Sequence, residues 1–278
     1  MKLIAKTDGE LLDYLYNNLD MPKKKIKQYL THGSIYVNNN KTTKYNYKIV
    51  KGMTIMIDTN KVSDLPFDIL FEDNHIIVVN KPSGLLSIAT LKEKEHTLYH
   101  MVGEYLRTKN KNAKVFIVHR LDKDTSGVVV LAKDEKTKNK LQENWNEYVS
   151  LREYVGVVYG HLTKKKDRIV QSLKENKANL VYVSNDGKEA ITNYEVIKEN
   201  NDYSLVKIII ETGRKNQIRV AFKSLNHPLV GDKKYNPKDT SATRLYLHAN
   251  RLKMYYPEIG KEILFETNTP SEFKKIMN

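Results

Sequence analysis

Cysteine is missing from all 278 residues, which excludes disulfides, thiolate metal sites and cysteine nucleophiles and fits a reducing cytoplasm. Long apolar runs are missing as well. Stretches such as Val128 to Ala132 and Ile76 to Val79 fall far short of the roughly 20 residues a membrane helix needs, so no membrane partner is expected. The chain reaches an acid, Asp8, too soon after Met1 for a secretory signal. It has no cluster with metal-ligand spacing, no glycine-rich phosphate loop and no dinucleotide fingerprint, so neither metal nor cofactor is expected. No internal repeat is visible.

What is present is positive charge. Lys and Arg number 47 against 33 Asp and Glu, a net charge of +14. A polyanion is the partner this favours, because each neutralised phosphate releases a counterion. A genome biased toward Lys, Asn, Ile and Tyr would leave the same surplus. Hydrophobic residues at 40% and charged residues at 29% place the chain among folded globular proteins, and its length allows two domains.

Residues 1–58 read as a small αα-β unit. Leu11, Leu12, Leu15 and Leu19 recur at helical spacing and predict a helix over 10–19. Asp20, Met21 and Pro22 supply the cap and first turn of a second helix. That helix carries Lys23, Lys24, Lys25 and Lys27, turns Ile26 and Leu30 inward, and stops at His32 and Gly33. Ser34 to Asn40 predicts a strand and polar turn, and Met53, Ile55 and Ile57 alternate as a closing strand. Residues 59–66, polar and ending in Pro66, read as a linker. Residues 67–278 mix strands (69–71, 76–79, 115–118, 128–131, 153–159, 193–197, 205–210 and 245–252) with helices (98–106, 134–148 and 214–225). The absence of a regular βαβ rhythm predicts an α+β fold with a mixed, mainly antiparallel sheet.

The stretch His119-Arg120-Leu121-Asp122-Lys123-Asp124-Thr125-Ser126-Gly127 lies between two apolar strands. A strand-to-loop junction presents a carboxylate from a rigid base, and basic and hydroxyl neighbours favour an ionised Asp122. By itself the stretch reads as readily as a plain hairpin, since Asp, Thr, Ser and Gly are ordinary turn residues. An aspartic-protease loop would need a second Asp-Thr-(Ser/Gly) to share its proton, and the chain has none. An aspartyl-phosphate loop would need a nucleotide-binding apparatus that is equally missing.

The wider context is more specific. The loop runs on into Val128-Val129-Val130-Leu131-Ala132-Lys133, and upstream Glu72 to Leu85 contains Asn80-Lys81-Pro82-Ser83-Gly84. Downstream come Arg152-Glu153-Tyr154, then Thr212-Gly213-Arg214-Lys215-Asn216-Gln217-Ile218-Arg219-Val220. His227-Pro228-Leu229-Val230-Gly231-Asp232-Lys233-Lys234-Tyr235 and Leu247-His248-Ala249 complete the series. In this order the motifs resemble those of the RluA family of pseudouridine synthases, over about residues 67 to 270. The N-terminal unit resembles an S4 RNA-binding domain through Pro22 to Lys27 and Gly33 to Asn38.

The resemblance implies a catalytic domain of pseudouridine synthase type over residues 67–278, behind an S4-like RNA-binding domain over residues 1–58. It implies an enzyme that breaks the N1–C1′ bond of selected uridines in RNA, turns the uracil and rejoins it through C5, with no cofactor. Asp122 would be the catalytic carboxylate, with Arg219 paired to it and holding it charged. Attack at C1′, addition to the base and removal of the C2′ proton all remain open routes for Asp122. Tyr154 would stack on the target uracil and help remove its C5 proton, Ile218 would wall the pocket, and Arg120 would contact RNA at the flipped site. Lys23, Lys24, Lys25 and Lys27 would bind RNA from the S4-like unit. Three positions depart from the family pattern: Lys215 where Thr is common, and Asn216 and Ala221 where His is usual. These departures bear on RNA contacts or on bonds behind the catalytic groups. Ribosomal RNA is the preferred substrate, with transfer RNA open, and a cytoplasmic monomer is expected. The alternative is a catalytically silent RNA-binding or ribosome-assembly factor on the same fold.

Overall fold

The computed structural model of the chain describes residues 1–31, 33–58, 65–91, 93–239 and 242–278, with the side chains of residues 24, 28 and 31 left out. The Lys24 side chain, His32 and most of the 59–66 linker therefore lie outside the described residues. The chain divides into two compact units, residues 1–66 with 104–112, and residues 67–103 with 113–278.

The first unit begins with β1 (Lys2–Ile4), β2 (Gly9–Glu10), α1 (Leu11–Asn18) and α2 (Lys23–Thr31). β3 (Ile35–Val37), β4 (Asn40–Thr42), β5 (Lys48–Ile49) and β6 (Thr54–Ile57) follow. β1-β6-β3-β4 form an antiparallel sheet. Leu11, Leu15, Ile26 and Leu30 are buried in one core with Ile35, Val37, Ile55 and Ile57, which is why the helical and alternating spacings hold. α1 has no side-chain cap bond at its start, so packing of its apolar face is what holds so short a helix. Lys23, Lys25 and Lys27 lie on the exposed face of α2.

The second unit opens with β7 (Ile69–Glu72), β8 (Ile76–Lys81), α3 (Leu98–Lys109, through residue 103), β9 (Phe116–Ile117) and β10 (Ser126–Ala132). Then come α4 (Glu135–Glu143), α5 (Trp145–Tyr148), β11 (Val149–Tyr159), β12 (Lys166–Glu175), β13 (Val181–Val183) and β14 (Lys188–Glu199). β15 (Tyr203–Ile210), α6 (Gln217–Ser224), β16 (Leu247–Tyr256), β17 (Lys261–Glu266) and α7 (Ser271–Ile276) complete it. Among the described residues the strands form one sheet in the order β13-β12-β14-β15-β11-β16-β10-β8-β7, with β17 on β16 and β9 on β10. Its described pairings are antiparallel except that of β10 with β16. The fold is thus the α+β, mainly antiparallel one that the sequence predicts. β10 is buried at every position, which accounts for its unbroken apolar run.

Two expectations are corrected. The helix predicted over 134–148 is two: α4, whose N-cap Asp134 accepts from the Thr137 amide at 2.7 Å, and α5, separated at Asn144. The helix predicted from residue 214 starts at Gln217, because Gln217 Oε1 accepts from Thr212 Oγ1 (2.8 Å) and the Arg214 amide (3.0 Å) and holds that stretch as a loop. Strands β12 and β17 carry too many exposed charged positions for their alternation to stand out in the sequence. No described helix is long and apolar enough to cross a membrane.

Two glycines are structural necessities. Gly127 has φ +121 at the parallel β10–β16 junction, where an added Cβ would lie 2.1 Å from the Ala249 carbonyl oxygen. Gly231, at φ +75, would place a Cβ 1.8 Å from the Arg244 carbonyl oxygen. A Gly127→Ala variant combines the wrong side of the φ map with a backbone clash. It is expected to lose at least about 2 kcal/mol, read in calorimetry as a Tm drop of roughly 5 °C or more. An unchanged Tm would show that this close strand approach is not maintained.

Candidate active site

Asp122 sits in the loop that leads into β10, and that loop is braced from below. The Asp122 carbonyl accepts from the Thr125 amide at 3.2 Å, closing a turn. Lys81, with no exposed surface, donates to the carbonyls of Pro82 (3.0 Å), Leu85 (2.8 Å) and Lys123 (2.9 Å). Three donated bonds use the full capacity of an ammonium group. Burial nevertheless pulls Lys81 down to about 7, opposed by the charges of Asp124 and Asp122. Ser83 Oγ donates to the Asp124 carbonyl at 2.6 Å. Ser87 Oγ donates to the Leu121 carbonyl at 2.7 Å and accepts from the Leu121 amide at 3.3 Å. On the far side Ser126 Oγ is bonded to His248 Nδ1 at 2.7 Å and to the Arg244 guanidinium. Residues 81–87 therefore form a cradle for the loop. The Asn-Lys-Pro-Ser-Gly motif marked this segment in the sequence, but nothing there gave Lys81, Ser83 or Ser87 their partners.

Tyr154 lies on β11, opposite Ile208 of β15. On its other side β16 accommodates an extra residue, since Val155 pairs with His248 but Glu153 pairs with Arg251. Such a bulge bends the strand locally and re-aims the side chain opposite it. The ring is partly buried, and burial pushes the phenol up to about 12, eased by the Arg152 guanidinium and reinforced by the Asp122 charge. Tyr154 is thus a neutral phenol at physiological pH. Arg152 itself is lowered by burial and donates to the Glu211 carbonyl. His119 accepts from the Val130 amide at 3.0 Å through Nε2 and packs its ring 4.7 Å from that of Trp145. Burial takes it down to about 3, so it is neutral scaffold.

Helix α6 delivers Ile218 and Arg219, both buried. The sequence expectation paired Arg219 with Asp122. The structure shows a different primary partner: Arg219 donates through Nε to Asp232 Oδ2 (2.9 Å) and through Nη2 to Asp232 Oδ1 (2.6 Å). Arg219 Nη1 stands 3.9 Å from Asp122 Oδ2, a longer ion pair. Burial works against the guanidinium, but its bonds to Asp232 and the charges of Asp232, Asp122 and Asp124 outweigh that and raise its pKa. Asp232 is held in turn by the amides of Lys234 (3.1 Å) and Tyr235 (3.0 Å). This partner of Arg219 was left unassigned by sequence reasoning, although it sits within a quoted motif.

The Asp122 carboxylate also accepts from Asn216 Nδ2 at 2.6 Å, at one of the three departing positions. Lys215 pairs with Glu175, and Ala221 is buried in the core beside Phe222. Arg120, Asp122, Tyr154, Ile218 and Arg219 all line one cavity of about 90 Å³. It adjoins an open lobe of about 330 Å³ that shares Arg120, Asp122, Asn216 and Arg219 and adds Lys123, Lys215 and Lys234. The five candidate site residues of the second unit are thus brought together. Lys23, Lys25 and Lys27 belong to the first unit. The arrangement presents a carboxylate beside an aromatic ring and an aliphatic wall, rimmed by cations.

Comparison with known proteins gives this arrangement its context. The family described as RNA pseudouridylate synthase matches residues 75–224. An uncharacterized RNA pseudouridine synthase of Bacillus subtilis (strain 168), YhcT, is 32% identical across 98% of this chain and 93% of its own length. The ribosomal large subunit pseudouridine synthase D of Yersinia pestis is 30% identical across 97% of this chain and 90% of its own. Among solved structures, human RNA pseudouridylate synthase domain containing 4 shares the fold, with a TM-score of 0.62, 23% identity and coverage of 74% of this chain and 90% of that one. The match spans more than half of the chain, and the chain belongs to the RNA pseudouridine synthase family, the isomerases that convert uridine in RNA to pseudouridine.

Proposed function

We propose that this enzyme acts on uridines of ribosomal RNA and sets Asp122 against the ribose of the target nucleotide. The observation that carries the site reading is the convergence of Arg120, Asp122, Tyr154, Ile218 and Arg219, from three separate stretches of chain, on one cavity. The ribosomal preference is supported by near full-length similarity to enzymes named ribosomal large subunit pseudouridine synthase D, from Yersinia pestis and Vibrio cholerae. The cytoplasm is the expected compartment, in keeping with a chain that has no cysteine.

The chemistry imposes three demands. The target nucleotide must leave its stack before C1′ and C5 are reachable, and Arg120, exposed at the cavity rim, contacts the strand as it does so. Breaking N1–C1′ builds positive charge on the ribose, which the Asp122 carboxylate stabilises. The freed uracil must be held while it turns, and the Tyr154 ring and the Ile218 wall do this by stacking and packing. C5 then bonds to C1′, the C5 proton leaves and N1 takes one up, so the isomerisation balances without a co-reactant. Loss of the C5 proton restores the conjugated ring; the Tyr154 oxygen takes that proton up as the phenol passes its own proton to solvent, so the phenol ends the step neutral. Arg219, held by Asp232, keeps positive charge beside Asp122 without occupying both of its oxygens.

Residues 1–58 serve as an S4-like RNA-binding domain, joined through residues 59–66 to the catalytic domain over 67–278. The exposed Lys23, Lys25 and Lys27 are its phosphate contacts.

RNA carrying C5-tritiated uridine tests the site. The wild type releases tritium to water, and Asp122→Asn lowers release by about 10³-fold while RNA affinity stays within about twofold. No release from ribosomal RNA by the wild type, with its cellular role intact in Asp122→Asn, would instead identify a silent RNA-binding factor. Tyr154→Phe keeps the stacking face, so affinity holds within about twofold while turnover falls, and a collapse of binding would show that Tyr154 is misplaced. Replacing Lys23, Lys25 and Lys27 together by Ala is expected to flatten the slope of log K against log salt by about 2. An unchanged slope would show that these lysines are only a solvated face.

A further inference from the structure

Asn216 departs from the family pattern, yet it makes the shortest described bond to the catalytic carboxylate. Its Nδ2 donates to Asp122 Oδ2 at 2.6 Å. Its Oδ1 accepts from Lys234 Nζ at 3.0 Å and from the Tyr235 hydroxyl at 3.1 Å. The Tyr235 oxygen is itself occupied by the Val181 amide at 3.2 Å, which directs the phenol proton toward Asn216. Lys234 is anchored further by the Asn179 carbonyl at 2.7 Å. The Lys234 ammonium and the Asp122 carboxylate decide which end of Asn216 faces Asp122: the reverse orientation would set oxygen against carboxylate and NH₂ against ammonium, losing both of those bonds. Asn216 is buried and adopts φ +53 just before α6, a left-handed conformation that Asn, Asp and Gly accept and most residues do not.

The Asn216 Nδ2 hydrogen bond and the longer ion pair from Arg219 Nη1 both reach Oδ2 of Asp122. Among the described residues no hydrogen bond reaches Oδ1. We propose that Asn216, braced by Lys234 and Tyr235, is a positioning residue that tethers Oδ2 of Asp122 and leaves Oδ1 as the oxygen presented to the ribose. Because the amide is uncharged, it orders the carboxylate without neutralising it, and Lys234 is held one bond away from the carboxylate. The inference rests on the reading of Asp122 as the reacting carboxylate.

Two variants that tolerate the left-handed backbone separate this role from simple packing. Asn216→Gly removes the tether while easing the backbone, and Asn216→Asp keeps the shape but adds a second carboxylate against Asp122. Both are compared with wild type and Asp122→Asn in tritium release from transcribed ribosomal RNA carrying C5-tritiated uridine. Asn216→Gly is expected to lower kcat by about 10- to 100-fold with KM within about twofold, because the carboxylate is freed to wander. In Asn216→Asp two carboxylates share one site and one of them holds its proton to higher pH, so the acid limb of the kcat profile moves up by about one pH unit or more. Inactive Asp122→Asn, together with wild-type kcat in Asn216→Gly or a wild-type pH profile in Asn216→Asp, overturns this inference alone. An active Asp122→Asn overturns the reading of the site and this inference with it.

Discussion

The buried fork between Arg219 and Asp232 is the interaction on which the site depends. Taking two charges out of water is costly, and a pair of this kind adds little net stability over an apolar replacement. Its value lies in geometry. Were Arg219 forked onto Asp122 directly, both carboxylate oxygens would be engaged and none would face the substrate. With Asp232 taking the fork, the guanidinium is locked 3.9 Å from one oxygen of Asp122 and still contributes its charge there. The amides of Lys234 and Tyr235 hold Asp232 in place, so the turn after Gly231 fixes the guanidinium that stands beside Asp122.

The loop bearing Asp122 is fixed from the opposite side. Lys81, Ser83 and Ser87 bond to backbone atoms of Leu121, Lys123 and Asp124, so the backbone that carries Asp122 is held independently of its side chain, whose oxygens are oriented by Asn216 and Arg219. The parallel meeting of β10 with β16 is tight enough to require Gly127, and β16 carries an extra residue opposite Tyr154, which lines the same cavity as Asp122. A rigid frame of this sort suits a reaction in which a detached base has to be retained and reoriented.

Much of this was legible in the chain. Burial on one face gave the leucine spacing of α1 and the alternation of β6, and burial on both faces gave the apolar run of β10. The motif order identified Asp122, Tyr154, Ile218 and Arg219 as one site. Elements whose burial is confined to scattered positions, such as β12, left no periodic trace. The break at Asn144 and the late start of α6 depended on capping and on Gln217 bonding back to its own approach loop, which propensity does not encode.

The sequence by itself determined the α+β class, the basic character and which residues meet at the cavity, because these follow from local periodicity, composition and ordered motifs. Tertiary structure decided which group touches which. That Arg219 answers first to Asp232, that Asn216 reaches Asp122 across 94 positions of chain, and that Lys81 holds the loop from beneath are matters of hydrogen-bond direction over a few ångströms. Such partners are chosen when distant segments pack and most buried donors find acceptors, a constraint that exists only in the folded molecule.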